Sequence, residues 1–398
     1  MILSIIFAVI LGISAGIITG LAPGIHINFV ALILFVNSAW LLKFTTPIIL
    51  AVFIVAMSIS HTFFDFLPSI FLGAPEESTA LSILPGHKLL LQGRGYEAIK
   101  ITSMGGIIGI VLILILFPVF TSILPFMYNI IKKFIPFILI LASAFLIFRE
   151  EKSKKAFALI FFILSGILGI FTLNNYIIKQ PLFPLLTGLF GTSMLATSIR
   201  QKVKIPKQNF LFEKIKKQEI GKATFSSLIA GPLCSFLPGL GAGQAAVIGS
   251  QFYKLSQRTF LLMLGIIGTL VAGLNFVALY VINKPRSGVS VIVGKLLDIN
   301  FSQLILLISV MLIAGAISYL LILKISKKFI SWFEKINYTL IGKTILIILG
   351  VITFFVSGII GIIVLLAATF LGISANIVGI RKIQLMGCLM IPIILFYI

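Results

Sequence analysis

The amino-acid sequence predicts an all-α polytopic membrane protein with about 10–12 transmembrane helices, some of them broken or re-entrant. Composition is the first reason: of 398 residues, 60% are hydrophobic and only 10% are charged. A soluble globular protein has about 25% charged residues. The second reason is that apolar runs of about 18 residues or more, long enough to span a bilayer, recur along the chain.

The apolar runs are separated by short polar or charged segments. The first run, residues 1–21, is interpreted as a transmembrane helix because no basic segment precedes it and no small-residue cleavage motif follows it. The later runs are residues 27–42, 47–72, 101–124, 134–148, 156–173, 181–199, 260–282, 302–323, 340–357, 358–373 and 383–398. We therefore expect a multi-pass protein of the cell membrane, in contact with lipid.

Basic residues concentrate in the loops between these runs. The net charge of +21 arises from 31 Lys and Arg against 10 Asp and Glu. Positive charge in short loops fixes the cytoplasmic side of a membrane protein, and no basic surface domain is present to bind nucleic acid. The most basic loop, residues 200–222, is predicted to be cytoplasmic. It divides the chain into a first transmembrane half, residues 1–199, and a second, residues 223–398.

Two glycine- and proline-rich interruptions occur inside apolar segments, one in each half. Residues 231–243 read GPLCSFLPGLGAG, and residues 16–27 read GIITGLAPGIHI. Gly16 and Pro23 have the same spacing as Gly231 and Pro238. Proline removes a backbone donor and glycine lets the chain turn, so this composition favours a helix that breaks inside the membrane. The alternative is that these residues only permit kinks or close helix packing.

Each half continues with a polar residue in an apolar run, then a second proline break. The matched positions are Asp65 with Asn275, Pro75 with Pro285, and Ser78 with Ser287. No Lys or Arg precedes the first broken helix, whereas eight precede the second one within residues 200–222. The positive-inside bias therefore predicts that the two breaks are approached from opposite sides of the membrane. This indicates two inverted-topology repeats, an arrangement common in secondary transporters.

Breaks of this kind predict a binding site. The N-terminus of a half-helix offers unpaired N–H donors and a positive dipole end, which suit a carboxylate or a phosphate. The candidate substrate-binding residues lie in or beside the breaks: Pro23, Gly24, His26, Asn28, Pro75, Ser78, Pro238, Gly239, Gly241, Gly243, Gln244, Pro285 and Ser287. Lys284 and Arg286 flank Pro285 and either attract an anion or extend to the membrane interface.

His61 and Asp65 are four residues apart and share one face of a predicted helix. A charged residue inside a membrane costs at least about 2.5 kcal/mol, so it usually faces a partner or a polar cavity. With Asn275, this pair forms the predicted ion-coupling site for Na⁺ or H⁺. Two alternatives remain: the pair is solvated near the interface, or it serves an intramembrane enzyme. No other cofactor and no metal site is predicted.

Two motifs carry a family resemblance. Pro238-Gly239-Leu240-Gly241-Ala242 looks like a P-G-x-G-A element, and the loop at residues 84–98, which includes QGRGYEA, looks like a second family motif. The chain resembles the large membrane permease subunit of the tripartite tricarboxylate transporter family. The resemblance implies a carboxylate as the solute, and a small membrane subunit and a solute-binding protein as separate partner chains.

The sequence therefore predicts a secondary transporter, not an enzyme. We expect it to move a small anionic solute, a carboxylate by resemblance, in symport with Na⁺ or H⁺. A passive channel is the other alternative, and it would show no ion coupling.

Overall fold

The computed structural model describes residues 1–22, 27–72, 83–131, 133–178, 180–200, 206–236, 245–246, 249–250, 252–253, 255–333 and 338–398. Within these residues the chain is predominantly helical and contains no β-strand. The predicted all-α class is confirmed.

The helices of the first half are α1 (Ile2–Leu21), α2 (Ile27–Val36), α3 (Ser38–Leu41), α4 (Pro47–Phe64), α5 (Phe66–Leu72), α6 (Ile83–Leu91), α7 (Gly95–Ile131), α8 (Ile135–Phe148), α9 (Lys155–Leu173), α10 (Leu182–Leu186) and α11 (Ser193–Arg200). A π-helix, Thr187–Thr192, joins α10 to α11. The helices of the second half are α12 (Lys217–Phe236), α13 (Gln257–Ile282), α14 (Gly288–Leu296), α15 (Phe301–Phe333), α16 (Tyr338–Val378) and α17 (Gly387–Tyr397).

Seven helical segments in the described part of the chain are long and apolar enough to cross a membrane: Ile2–Leu21, Pro47–Phe71, Gly95–Ile130, Lys152–Leu173, Gln257–Ile282, Phe301–Trp332 and Gly342–Val378. Three shorter apolar helical segments are Pro136–Phe148, Leu182–Thr197 and Lys382–Tyr397. Many large apolar side chains on these helices face outward, as contact with lipid requires. The chain is therefore a membrane protein with multiple apolar helices, and the exact number of spans stays a prediction.

Gly358 divides the long helix α16 into two segments. Its backbone has φ 69° and ψ −167°, a left-handed conformation that glycine adopts without a Cβ clash. The sequence predicted that one apolar run ends at Ser357 and the next begins at Gly358. The structure confirms this boundary.

Helices α1 and α4 pack with their backbones unusually close, through Gly12, Gly16 and Gly20. A Cβ atom at Gly16 would lie only 2.6 Å from the Cβ of Ser60, and one at Gly20 only 2.8 Å from that of Phe64. Small residues at four-residue spacing let membrane helices approach in this way. Gly16, predicted as the start of the first break, therefore has a packing role in α1.

An equivalent contact joins α12 to α13 in the second half. A Cβ atom at Gly231 would lie 2.8 Å from Cδ2 of Leu270. Leu270 lies five residues before Asn275, as Ser60 lies five residues before Asp65. Gly16 and Gly231 thus contact residues that lie at the same spacing before Asp65 and Asn275.

The halves also interlock. Helix α7 packs along α13, and α15 packs along α4, all within one large hydrophobic core. A second core lies in the peripheral helices, where α9 packs on α17 and the π-helix with α11 packs on α16. Both cores therefore pair a helix of one half with a helix of the other.

The predicted loop at residues 200–222 is partly helical. Helix α11 ends at Arg200 and α12 begins at Lys217, and residues 206–216 between them lack regular structure. This segment contacts both halves, as described below. The division into two halves at this loop stays a prediction.

Candidate functional site

Six of the candidate site residues are described by the structure: Asn28, His61, Asp65, Asn275, Pro285 and Ser287. The others lie outside the described residues: Pro23, Gly24, His26, Pro75, Ser78, Pro238, Gly239, Gly241, Gly243 and Gln244. Helix α1 ends at Leu21, and its C-cap Ala22 is already extended, with φ −85° and ψ 108°. The first helix therefore ends before Pro23, as predicted.

The predicted break around Pro285 is present. Helix α13 ends at Ile282 and is followed by Asn283 in the left-handed conformation, with φ 50°. Helix α14 then begins at Gly288. Ser287 caps it, because its Oγ accepts a hydrogen bond of 3.2 Å from the backbone N–H of Ser290.

Asn275, within α13, forms a hydrogen bond with the backbone of this break. Its Oδ1 accepts a hydrogen bond of 2.8 Å from the backbone N–H of Arg286, and its Nδ2 donates one of 2.8 Å to the carbonyl of Val271. The residue is buried, with 3% exposure. A buried amide bonded through both its oxygen and its nitrogen positions the backbone directly after Pro285.

Asn28 binds the same break from the other half of the chain. Its Oδ1 accepts a hydrogen bond of 3.1 Å from the backbone N–H of Val289, in the first turn of α14. Helix α2 packs against α14 here, and a Cβ atom at Gly288 would lie only 2.8 Å from the Cβ of Asn28. Glycine at position 288 is therefore required for this close approach.

Cationic side chains lie near this site, and each is stacked on an aromatic ring. Lys284 Nζ is 5.3 Å from the ring centroid of Tyr128, and Lys295 Nζ is 5.5 Å from that of Phe35. Cation–π contacts hold an ammonium group in place without neutralising it. Lys284 lies within the break around Pro285, whereas Lys295 lies in the last turn of α14.

His61 lies in the last turn of α4 and Asp65 is its C-cap, and both are buried. Their exposures are 2% and 5%, so the alternative that both are solvated near the interface is wrong. His61 Nδ1 lies 3.0 Å from Thr19 Oγ1 on α1, within hydrogen-bonding distance. A Cβ atom at Gly20 would lie 2.9 Å from the carbonyl oxygen of His61 and 3.2 Å from the amide nitrogen of Asp65. The pair therefore lies against the last turn of α1.

The helix end beside His61 and Asp65 and the helix end beside the Pro285 break have dipole charges of opposite sign. The last turn of α1, beside His61 and Asp65, presents the negative end of a helix, which favours a cation or a proton. The first turn of α14, beside Asn28 and Asn275, presents the positive end, which favours an anion. The two places thus favour charges of opposite sign, although the N–H groups of Val289 and Ser290 already donate to Asn28 and Ser287.

A network of charges that the sequence did not predict ties the loop at residues 206–216 to both halves. Glu97, 2% exposed, binds Arg94 through two hydrogen bonds of 2.6 Å and 3.0 Å and forms an ion pair of 2.8 Å with Arg258 Nε. Both arginines also contact the exposed carboxylate of Glu213, at 3.1 Å and 3.4 Å. The hydrogen bonds to Glu97 raise the pKa of the Arg94 guanidinium above its ordinary value.

Gln208 anchors the same loop. Its Oε1 accepts a hydrogen bond of 2.8 Å from the backbone N–H of Gly95, and its Nε2 donates one of 3.0 Å to the carbonyl of Leu90. Gly93, between them, has φ 77°, a conformation that suits glycine. The only sequence signal for this cluster was the QGRGYEA motif, which contains both Arg94 and Glu97 but does not reveal Arg258 or Glu213 as their partners.

Comparison with known proteins adds a family match. The model of the tripartite tricarboxylate transporter TctA family matches residues 6–387. A protein of Methanocaldococcus jannaschii described as "Uncharacterized protein MJ1079" is 32% identical over 400 residues, covering 98% of each chain. No solved structure matches.

Proposed function

The chain belongs to the tripartite tricarboxylate transporter TctA family, and on that premise we propose that it moves a small carboxylate in symport with Na⁺ or H⁺. The family consists of membrane-integral transporters and is not an enzyme family, which removes the intramembrane enzyme as an alternative. The proposal concerns the solute, the coupling and the residues that bind them.

The observation that carries the proposal is the meeting of both halves at one broken segment. Asn28 of the first half and Asn275 of the second half each accept a hydrogen bond from the backbone around Pro285. Secondary transporters place their solute at the interface between repeats, where discontinuous helices supply backbone groups. We place the carboxylate at the first turn of α14, close to Pro285 and Ser287.

We place the coupling ion at the C-terminal end of α1, where the helix dipole is negative. Asp65 and His61, with Thr19 beside them, offer oxygen and nitrogen atoms next to the carbonyl end of α1. Carboxylate and hydroxyl oxygens are ligands for Na⁺, and a buried carboxylate can also carry a proton. Asn275 occupies the position in the second half that matches Asp65, so the two matched positions would differ in charge and in task.

The packing supports two repeats of one architecture. Gly16 contacts Ser60 as Gly231 contacts Leu270, and α7 with α13 is mirrored by α15 with α4. We propose that these repeats have inverted topology, with breaks at Pro23-Gly24 and at Pro238–Gly243 completing the solute site through His26 and Gln244.

The partners follow from the family. Its systems are tripartite, with a solute-binding protein and a small membrane subunit beside the large one. We propose that this chain is the large subunit, that such partners are separate chains, and that the complex lies in the cell membrane.

A binding screen tests this function. The purified chain is heated in detergent with a panel of mono-, di- and tricarboxylates, at several Na⁺ concentrations and pH values. A stabilising shift is expected for at least one carboxylate, and it should grow with Na⁺ or with acidity. Absence of a shift for the whole panel would count against the proposed solute class.

A further inference from the structure

A basic cleft of about 630 Å³ lies apart from the broken segment described above. Its walls include Lys88 of α6, Arg149 after α8 and Arg381 after α16, together with Ser250, Ser256 and Tyr253. These residues come from four separate places in the chain, and both halves contribute. The volume is in the range of pockets that hold small molecules.

The cleft carries an excess of positive charge. No acidic residue lines it among those that the structure describes. Among the described residues, Arg381 is the one of its three cations that forms an ion pair, with Glu150 at 3.8 Å. Clustered cations with few counter-charges raise the local concentration of anions.

Two of its cations have contacts of their own. The guanidinium of Arg149 lies 5.5 Å from the ring centroid of Phe145. Arg381 pairs with Glu150, which also accepts a hydrogen bond of 3.3 Å from its backbone N–H. Such contacts narrow the positions that the two guanidinium groups take, so less entropy is lost when an anion binds.

The cleft borders a small apolar cluster. Leu146 and Ile383 form this cluster with Phe260 of α13, which also lines the cleft. Ser256, on its wall, donates a hydrogen bond of 3.1 Å to Glu219 in the first turn of α12. The cleft therefore opens on the same side as the basic loop at residues 200–222, which is predicted to be cytoplasmic.

We propose that this cleft is a second anion-binding site, on the cytoplasmic side of the transport path, that holds the multivalent carboxylate before its release. The identity of the ligand rests on the proposed function. The shared chemistry is that of an oxyanion, which a lipid phosphate could also supply. The hydroxyl of Tyr253 among the lining residues favours a small soluble anion, because it offers a hydrogen-bond donor to one of its other oxygens.

A fluorophore inside the cleft provides a local test. Phe252 lines the cleft and is 50% exposed, and the chain has only two tryptophans, Trp40 and Trp332. The variant Phe252→Trp, made with Trp40→Phe and Trp332→Phe, reports on the cleft alone. Citrate titrated in lipid-free detergent solution should change its emission with saturation, and acetate should bind about tenfold more weakly because it has one carboxylate instead of three.

Two charge variants then test whether the cations of the cleft bind citrate. Lys88→Gln and Arg149→Gln should each weaken citrate binding about three- to tenfold, the value of one charged hydrogen bond in an open site. Lys155→Gln is the matched control: Lys155 Nζ also lies 5.5 Å from a phenylalanine ring, that of Phe148, but does not line the cleft. It should leave binding unchanged.

Three results would overturn the proposal. They are an unsaturable citrate response, an equal loss in Lys155→Gln, and a response to phosphatidylglycerol but not to citrate, which would identify a lipid site. Because the readout is binding, it is separate from transport. Saturable citrate binding without carboxylate uptake would contradict the proposed function alone. Carboxylate uptake that both charge variants leave unaffected, together with no citrate binding in the cleft, would contradict this site alone.

Discussion

The side-chain Oδ1 of Asn28 accepts a hydrogen bond of 3.1 Å from the backbone N–H of Val289. The two residues lie in different halves of the chain, 261 positions apart. The bond joins the helix after the first break to the helix after the last one. Any movement of one half relative to the other must therefore either break this hydrogen bond or move α2 and α14 together.

Replacing Asn28 with alanine tests the importance of this contact. Removing the acceptor leaves an N–H in the first turn of α14 without its partner, which should lower the free energy of unfolding by about 1 kcal/mol. Asn37→Ala is the control, because Asn37 lies next to α2, is exposed and bonds only to the nearby carbonyl of Ile33. Denaturant unfolding in detergent compares them, and equal losses would show that Asn28 has no special role.

Gly16→Ala tests the close packing of α1 on α4. The added Cβ would lie 2.6 Å from that of Ser60, so the helices must separate, at a cost of about 1–3 kcal/mol. At Gly350 in α16 a Cβ would meet nothing within 4 Å, and Gly350→Ala should be neutral or stabilising by up to about 1 kcal/mol. Melting temperatures of the two variants should move in different directions; a matching drop in both would contradict the packing described.

The two carboxylates of the arginine network should differ in importance. Glu97 is 2% exposed, and Glu97→Gln removes the buried carboxylate that Arg94 and Arg258 share, which leaves them the exposed Glu213, at a cost of about 3 kcal/mol. Glu213 is 72% exposed, so Glu213→Gln should cost less than about 1 kcal/mol. Unfolding at low and high salt measures both. A larger effect from Glu213 would reverse the assignment.

The carboxyl of Glu219 links stability to pH. Burial opposes its ionisation, but hydrogen bonds from Thr259 and Ser256 outweigh burial and lower its pKa below the ordinary value of 4.5. A depressed pKa in the folded state adds stability above the unfolded value, and this stability is lost as the pH falls through the folded value. Wild type should therefore lose stability below about pH 4.5, where the unfolded carboxyl binds its proton first.

Glu219→Gln isolates this contribution. The variant keeps one oxygen acceptor but cannot titrate, so its melting temperature should fall less than that of wild type between pH 5 and pH 3. Parallel curves for the two proteins would assign the acid sensitivity to other groups.

The sequence predicts where helices end and break better than it predicts which helices contact each other. The end of α1 before Pro23, the division of α16 at Gly358 and the break around Pro285 were all predictable, because proline and glycine act locally on the backbone. The partner of Asn28 was not, because hydropathy patterns do not show which helices are neighbours. The same limit hid the pairing of Glu97 with Arg258, whose residues lie in different halves.

The burial of His61 and Asp65 shows where packing decided between interpretations. Their four-residue spacing predicted a shared face, but it fitted an interfacial position as well as a buried one. Gly20 packs closely against the α4 backbone beside both residues. That contact could be found only once α1 and α4 were known to be neighbours.

Uptake into proteoliposomes tests the central claim, that the chain is an ion-coupled carboxylate transporter. With an inward Na⁺ or H⁺ gradient, at least one di- or tricarboxylate should accumulate above its external concentration. Asp65→Asn should abolish this accumulation and leave the thermal shift by the same carboxylate in place. Equal uptake with and without a gradient would indicate a passive channel, and no uptake of any carboxylate would contradict the account entirely.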